Sequence, residues 1–192
     1  GDGMIPDLPR YLDHYRRDLE KIMGVYLEHM SRGDLLSITH VNDLLIYLFT
    51  KKRRGTTACA VERMENFDVI GDGKVHACAD LPEAMSIGRI LESGEIAFEP
   101  DAKARLRKIV SYKSDLGCST CGVEPYCGGR CPVQANTGGI GRARQYCFMM
   151  REYVKTVKRH AAQIADLMVE KGIAPGELYR SARLTKFADV TP

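Results

Sequence analysis

Seven cysteines could carry chemistry in this 192-residue chain, and they form one ordered pattern: Cys59-x13-Gly73-x4-Cys78, then Cys118-x2-Cys121-x5-Cys127-x3-Cys131, then Cys147. An odd number of thiols cannot all pair as disulfides. Four of them lie within fourteen residues, at spacings that let short loops wrap a metal centre. Thiolate is a soft ligand, so the residue types point to soft-metal ligation in a reducing compartment.

Thiolates suit iron–sulfur clusters and structural zinc alike, and the residue type does not choose between them. Spacing is more telling. Zinc modules usually repeat a paired Cys-x2-Cys as two knuckles, whereas here Cys118 and Cys121 are followed by gaps of five and three residues. The step Cys127-x3-Cys131-Pro132 echoes the end of bacterial ferredoxin motifs, whose final cysteine ligates the other of two clusters. On that reading Cys118, Cys121 and Cys127 need a fourth ligand from outside the run. Cys59, Cys78, Cys131 and Cys147 are left to be shared out.

The elements that must position these thiols can be read from periodicity. From Pro9 to Met30, Leu12, Tyr15, Leu19, Ile22, Met23, Tyr26, Leu27 and Met30 recur at three- and four-residue intervals, which predicts an amphipathic helix begun by Asp7 and Pro9 and ended by Gly33. A second helix is expected from Val41 to about Lys52, with Gly55 as its stop and an apolar run dense enough to be buried on more than one side. Residues Phe67 to Ile70 and Lys74 to Cys78 flank Gly71-Asp72-Gly73 and read as a β-hairpin with Cys78 at its exit. A helix is expected at about Asp101 to Tyr112, with Ala104, Leu106, Ile109 and Val110 inward.

Seven of the eighteen glycines fall between Gly117 and Gly141, which suggests irregular loops whose N–H groups approach sulfur closely. Helical pattern returns from about Gln145 to Lys171, and the segment after Pro175 reads as a tail. The expected class is α+β: a small cluster-organised domain with a β-hairpin and glycine-rich cysteine loops, flanked by N- and C-terminal helices.

Composition excludes other classes. A net charge of +3 with scattered basic residues, 7% aromatics and no Trp argues against a nucleic-acid interface. The longest uncharged apolar run, Leu44 to Phe49, is far too short to span a bilayer, and the first residues show no secretory signal. A cytoplasmic protein without membrane contact is expected. Gly138-Gly139-Ile140-Gly141 lacks both a preceding strand and the third glycine of a dinucleotide fingerprint.

Taken in order, the cysteine pattern resembles the SPASM domain of radical S-adenosylmethionine (SAM) peptide maturases, over Cys59 to about Tyr153. Ser86-Ile87-Gly88-Arg89-Ile90 is similar to the glycine-containing turn that follows the second cysteine in that family. The resemblance implies two auxiliary [4Fe-4S] clusters. Cys118, Cys121, Cys127 and Cys147 would hold one, and Cys59, Cys78 and Cys131 the second, which is one cysteine short. His76, His40 or a carboxylate such as Asp80 could complete it, although a lone strand histidine is more often a packing residue.

No Cys-x3-Cys-x2-Cys triplet is present, so the chain by itself is not expected to cleave SAM. SAM would bind only in a radical SAM barrel supplied in cis or trans. The opening Gly1-Asp2-Gly3 suggests an excised or processed segment. Residues 1–55 are read as the end of such a barrel and its bridge, 56–165 as the SPASM domain, and 166–192 as the helix end and tail.

The implied role is electron transfer and substrate positioning in the maturation of a ribosomal peptide or protein bearing a leader, with an external electron donor or acceptor. The competing readings are a cluster-stabilised peptide-binding module without redox role and a zinc-stapled structural domain. Arg130, Arg142 and Arg144 could raise a cluster's potential or steer an acidic leader, or stand as ordinary solvent-facing cations. Tyr126 and Tyr146 flank cysteines and are expected to shield them from water.

Overall fold

A computed structural model describes residues 4–51, 61–64 and 67–178. The fold is α+β, helices combined with one small antiparallel sheet. The described residues divide into two compact units, one within Arg54–Tyr146 together with Met4, the other within Ile5–Arg53 and Cys147–Pro192. Among the described residues no helix is long and apolar enough to cross a membrane.

The helical unit opens with α1 (Leu8–Ser31), whose Asp7 side chain accepts from the Arg10 N–H at 3.0 Å, one of the donors a helix start leaves over. Leu19, Met23, Tyr26 and Met30 form its buried stripe, and Gly33 follows the helix in the left-handed region at φ +85°. The second helix, α2 (Thr39–Thr50), stops at Lys51, which itself takes the left-handed cap, φ 57°. Gly55, the expected stop, lies outside the described residues. Val41, Asn42, Leu44 and Leu45 of α2 are buried, and the Tyr26 hydroxyl donates to Asn42 Oδ1 at 2.7 Å, satisfying the two buried polar groups together. Burial pushes the Tyr26 phenol well above its usual range.

The four-stranded sheet lies in the other unit: β1 (Asp68–Val69), β2 (Lys74–His76), β3 (Gly88–Ile90) and β4 (Ile96–Phe98), paired antiparallel in chain order. The expected hairpin is β1–β2, with Val69 opposite Val75. The Asp72 side chain accepts from the Lys74 N–H at 3.0 Å, and Gly73 takes φ +80°, so the turn residues do what their types suit.

The stretch Ser86 to Ile90 is a different case. It is not a turn: Gly88 to Ile90 are β3, and Gly88 pairs with both Val75 and Phe98. Val75, Ile87 and Leu106 anchor the apolar core on which the sheet and the next helix pack, together with Val61, Ile109 and Val133.

The expected helix from Asp101 to Tyr112 is interrupted. It runs as α3 (Ala102–Lys108), closes in tight turns, and restarts as α4 (Tyr112–Asp115). Asn136 Nδ2 donates to the Ile109 carbonyl at 2.8 Å, giving a partner to an acceptor at the break.

The glycine-rich cysteine segment is also more regular than expected. A 3-10 turn at Cys118–Thr120 is followed by α5 (Glu124–Cys127) and α6 (Pro132–Thr137), each short and each bounded by a glycine or proline. The last long helix, α7 (Gly139–Glu170), begins six residues before Gln145 and so takes in Gly139-Ile140-Gly141. Within the helical unit, Glu20 of α1 receives Arg159 and His160 of α7, the latter at 2.8 Å. Residues 175–178 form a helical turn and not the start of a tail, because Leu178 is fully buried and holds it down.

Candidate metal centre

Three consecutive residues shape the cysteine loop. After Cys127, Gly128, Gly129 and Arg130 take φ of 67°, 83° and 69°, a run of left-handed backbone that two glycines accept freely and the arginine does not. Along this path the Gly129 and Arg130 N–H groups lie near enough to Cys127 to favour its thiolate. Burial pushes the Cys127 thiol up, and Cys121 nearby adds to the rise, while those N–H groups and the Arg130 charge pull the other way. A second sulfur is served similarly: the Val123 N–H donates to Cys121 Sγ at 3.4 Å. Backbone donors aimed at sulfur are what a thiolate or a sulfur cluster needs from its protein.

Tyr112, the first residue of α4, fixes the loop from behind. Its buried hydroxyl donates to the Gly129 carbonyl at 2.8 Å, with the Arg130 carbonyl at 3.3 Å. Burial first, and then Cys118, Cys131 and Cys127, hold its phenol far above the usual range, so those three thiols share its neighbourhood. Lys113 reaches over Gly129 and pairs with Glu124 at 3.1 Å, tying α4 to α5. Arg130 stacks over the Tyr146 ring, 6.0 Å from its centroid, so this arginine is engaged rather than merely solvent-facing.

Tyr112 was not foreseen among the site residues. Only its place shortly before Cys118 could have drawn notice to it. Tyr112→Phe should cost about 1–2 kcal/mol, since it removes one hydrogen bond and leaves a buried carbonyl unmatched. Denaturant titration would show this as a lower midpoint at unchanged slope, and an unchanged midpoint would contradict the role assigned to the hydroxyl.

The remaining thiols are distributed as follows. Cys118 is buried, and Cys78, Cys121, Cys127, Cys131 and Cys147 are half-buried, all as thiols and not disulfides. Cys78, just past β2, and Cys131, at the start of α6, pack against one and the same apolar core. Cys147 lies on α7 in the helical unit. Cys59 falls outside the described residues. Among the described residues no three His, Cys, Asp or Glu side chains converge into a metal-holding group.

Of the three side chains that could complete a three-cysteine site, His40 and Asp80 are exposed. His76 is 2% exposed, and among the described residues neither of its ring nitrogens has a hydrogen-bond partner. Arg142 Nε is likewise buried without one, beside Gly138, while Arg144 is exposed.

Comparison with protein-family models, with curated proteins and with solved structures found no match to this chain.

Proposed function

We propose that the chain binds two auxiliary [4Fe-4S] clusters for a radical SAM enzyme that modifies a ribosomally made peptide or protein. One cluster is assigned to Cys118, Cys121, Cys127 and Cys147. The second is assigned to Cys59, Cys78 and Cys131. Cys59 and Cys147 enter on the sequence pattern alone.

The observation that carries this reading is the Cys127–Arg130 segment, where an energetically unfavourable left-handed arginine is kept between Cys127 and Cys131, next to Cys121, whose sulfur accepts the Val123 N–H. A loop serving only to connect α5 and α6 has no need of that conformation. The shared packing of Cys78 and Cys131 supports separating Cys131 from its neighbours in sequence.

Bound clusters of this type supply one-electron chemistry. The chain's own contribution is ligation, burial of Cys118, N–H donation to Cys121, and a cation at Arg130 beside Cys127, which favours the reduced cluster. In this reading a radical SAM barrel, in cis or trans, binds SAM and generates the substrate radical. The substrate is a leader-bearing peptide or protein, and an external partner exchanges the electron in the cytoplasm.

Anaerobic reconstitution followed by metal and acid-labile sulfide analysis tests the reading. The expected result is about eight iron and eight sulfide per chain, the content of two four-iron clusters. Stoichiometric zinc without sulfide would refute it and favour a zinc-stapled domain.

A further inference from the structure

Helix α7 buries one side and leaves the other bare. Tyr153, Val157, Ile164 and Met168 are buried and recur at steps of four and seven residues, so they share one face. On the opposite face Phe148, Arg151, Lys155 and Lys158 follow one another at steps of three and four residues, and all are exposed. These residues lie within the helical unit.

Several other cations of that unit have acidic partners. On α1, Arg16 pairs with Asp13, Lys21 with Asp18 and Arg32 with Glu28. Arg159, directly after Lys158, is taken by Glu20. Among the described residues, no ion pair or hydrogen bond engages the side chain of Arg151, Lys155 or Lys158. Arg151 stands one helical turn from Lys155, and Lys155 one turn from Lys158, so like charges repel along the stripe. The next acid on this face, Asp166, comes about two turns beyond Lys158. Such an uncompensated stripe presents a potential complementary to carboxylates.

We propose that this face of α7 docks an acidic segment of a polypeptide. Arg151, Lys155 and Lys158 receive its carboxylates along about 10 Å of helix, and Phe148 packs against an apolar side chain at one end. Nothing in this surface requires a bound cluster, so its test is independent of the reading given under Proposed function. An anionic bilayer is a poorer fit, because the apolar side of α7 is buried within the unit and has no access to the acyl region. A nucleic acid also fits less well, since single-strand binders set several aromatic platforms along a longer basic groove.

Fluorescence anisotropy on the full chain tests the surface. The probe is a labelled peptide of alternating glutamate and alanine ending in leucine, with its glutamine counterpart as the uncharged control. The glutamate peptide should bind at low salt and weaken as salt is raised, while the glutamine peptide should not bind. Arg151→Glu, Lys155→Glu and Lys158→Glu together should weaken binding about tenfold or more. Phe148→Ala should weaken it with the salt dependence kept. Lys21→Glu, which reverses an exposed cation already paired with Asp18, should change the affinity little. Absence of binding by the glutamate peptide would overturn the proposal, and so would an equal loss from Lys21→Glu and from Lys155→Glu, which would show that net charge and not the stripe attracts the peptide. Stripe-dependent binding that is tighter to phosphatidylserine vesicles or to duplex DNA than to the peptide would overturn the choice of partner.

Discussion

Cys131→Ala will abolish the spectroscopic signal that Cys78→Ala and Cys59→Ala abolish, and will leave the signal that depends on Cys118, Cys121 and Cys147. Sequence distance argues the other way, because Cys131 is four residues from Cys127 and fifty-three from Cys78. The shared packing of Cys131 and Cys78 supports the longer-range grouping. Cys131 leads into α6 through Pro132, and it rests with Cys78 on the core built by Val75, Leu106 and Val133, whereas Cys127 is coupled to Cys121. Losing one thiolate of a ligand set should remove most of that cluster, and iron held weakly by the remaining ligands makes total iron a poor readout. Cluster-resolved EPR of each alanine variant is the suitable measurement. If Cys131→Ala erased the signal shared by Cys118 and Cys147 and spared that of Cys78, the partition of ligands would be wrong.

The largest effect on folding is expected at Gly88. A Cβ built there would overlap the Ala97 carbonyl oxygen and lie 3.1 Å from Phe98 Cα, both backbone atoms of β4 held by the β3–β4 ladder. The neighbouring residues are tied as well: the Ile87 N–H donates to Val75 O, the Ser86 hydroxyl donates toward Val75 O and Gly88 O, and Arg105 donates to Ser86 O at 2.7 Å. With β3 so held, strand β4 cannot move off without breaking its ladder to β3 and the Glu99 N–H bond to the Ile87 carbonyl. Gly88→Ala should therefore cost about 3 kcal/mol, the upper range for an overpacked site, out of a total of about 10 kcal/mol for a typical domain. Gly71→Ala is the control, because its Cβ would enter open space. A shift of the denaturation midpoint no larger for Gly88→Ala than for Gly71→Ala would show that β4 yields where the packing says it cannot.

Much of the framework was legible because it follows from local rules. The stripe Leu19, Met23, Tyr26 and Met30 gave α1, with Asp7 at its start and Gly33 at its end, and Gly71-Asp72-Gly73 gave the β1–β2 turn. What escaped depends on contacts distant in sequence. Strands β3 and β4 have three residues each, too few for an alternating pattern to stand out, and Gly88 reads as a turn residue until the close approach of Ala97 is known. The break between α3 and α4 rests on side chains such as Asn136, twenty-seven residues beyond Ile109.

For the candidate site, the cysteines announce themselves by type and spacing. The groups that serve them do not. Nothing in the letters Gly-Gly-Arg says that the arginine will share the left-handed path of the glycines, or that Tyr112 will donate to the carbonyl between them. His76 could be named from sequence only as one of several candidates, since burial without a partner is a property of the folded strand.

Mössbauer spectroscopy of the chain reconstituted with 57Fe tests the central claim most directly, because it counts every iron and reports its chemical form. The account predicts that essentially all protein-bound iron appears as [4Fe-4S] centres, in two populations of about four irons each, one of which is lost in Cys118→Ala and the other in Cys78→Ala. Iron present only as isolated mononuclear sites, or a chain that takes up zinc and excludes iron, would contradict it.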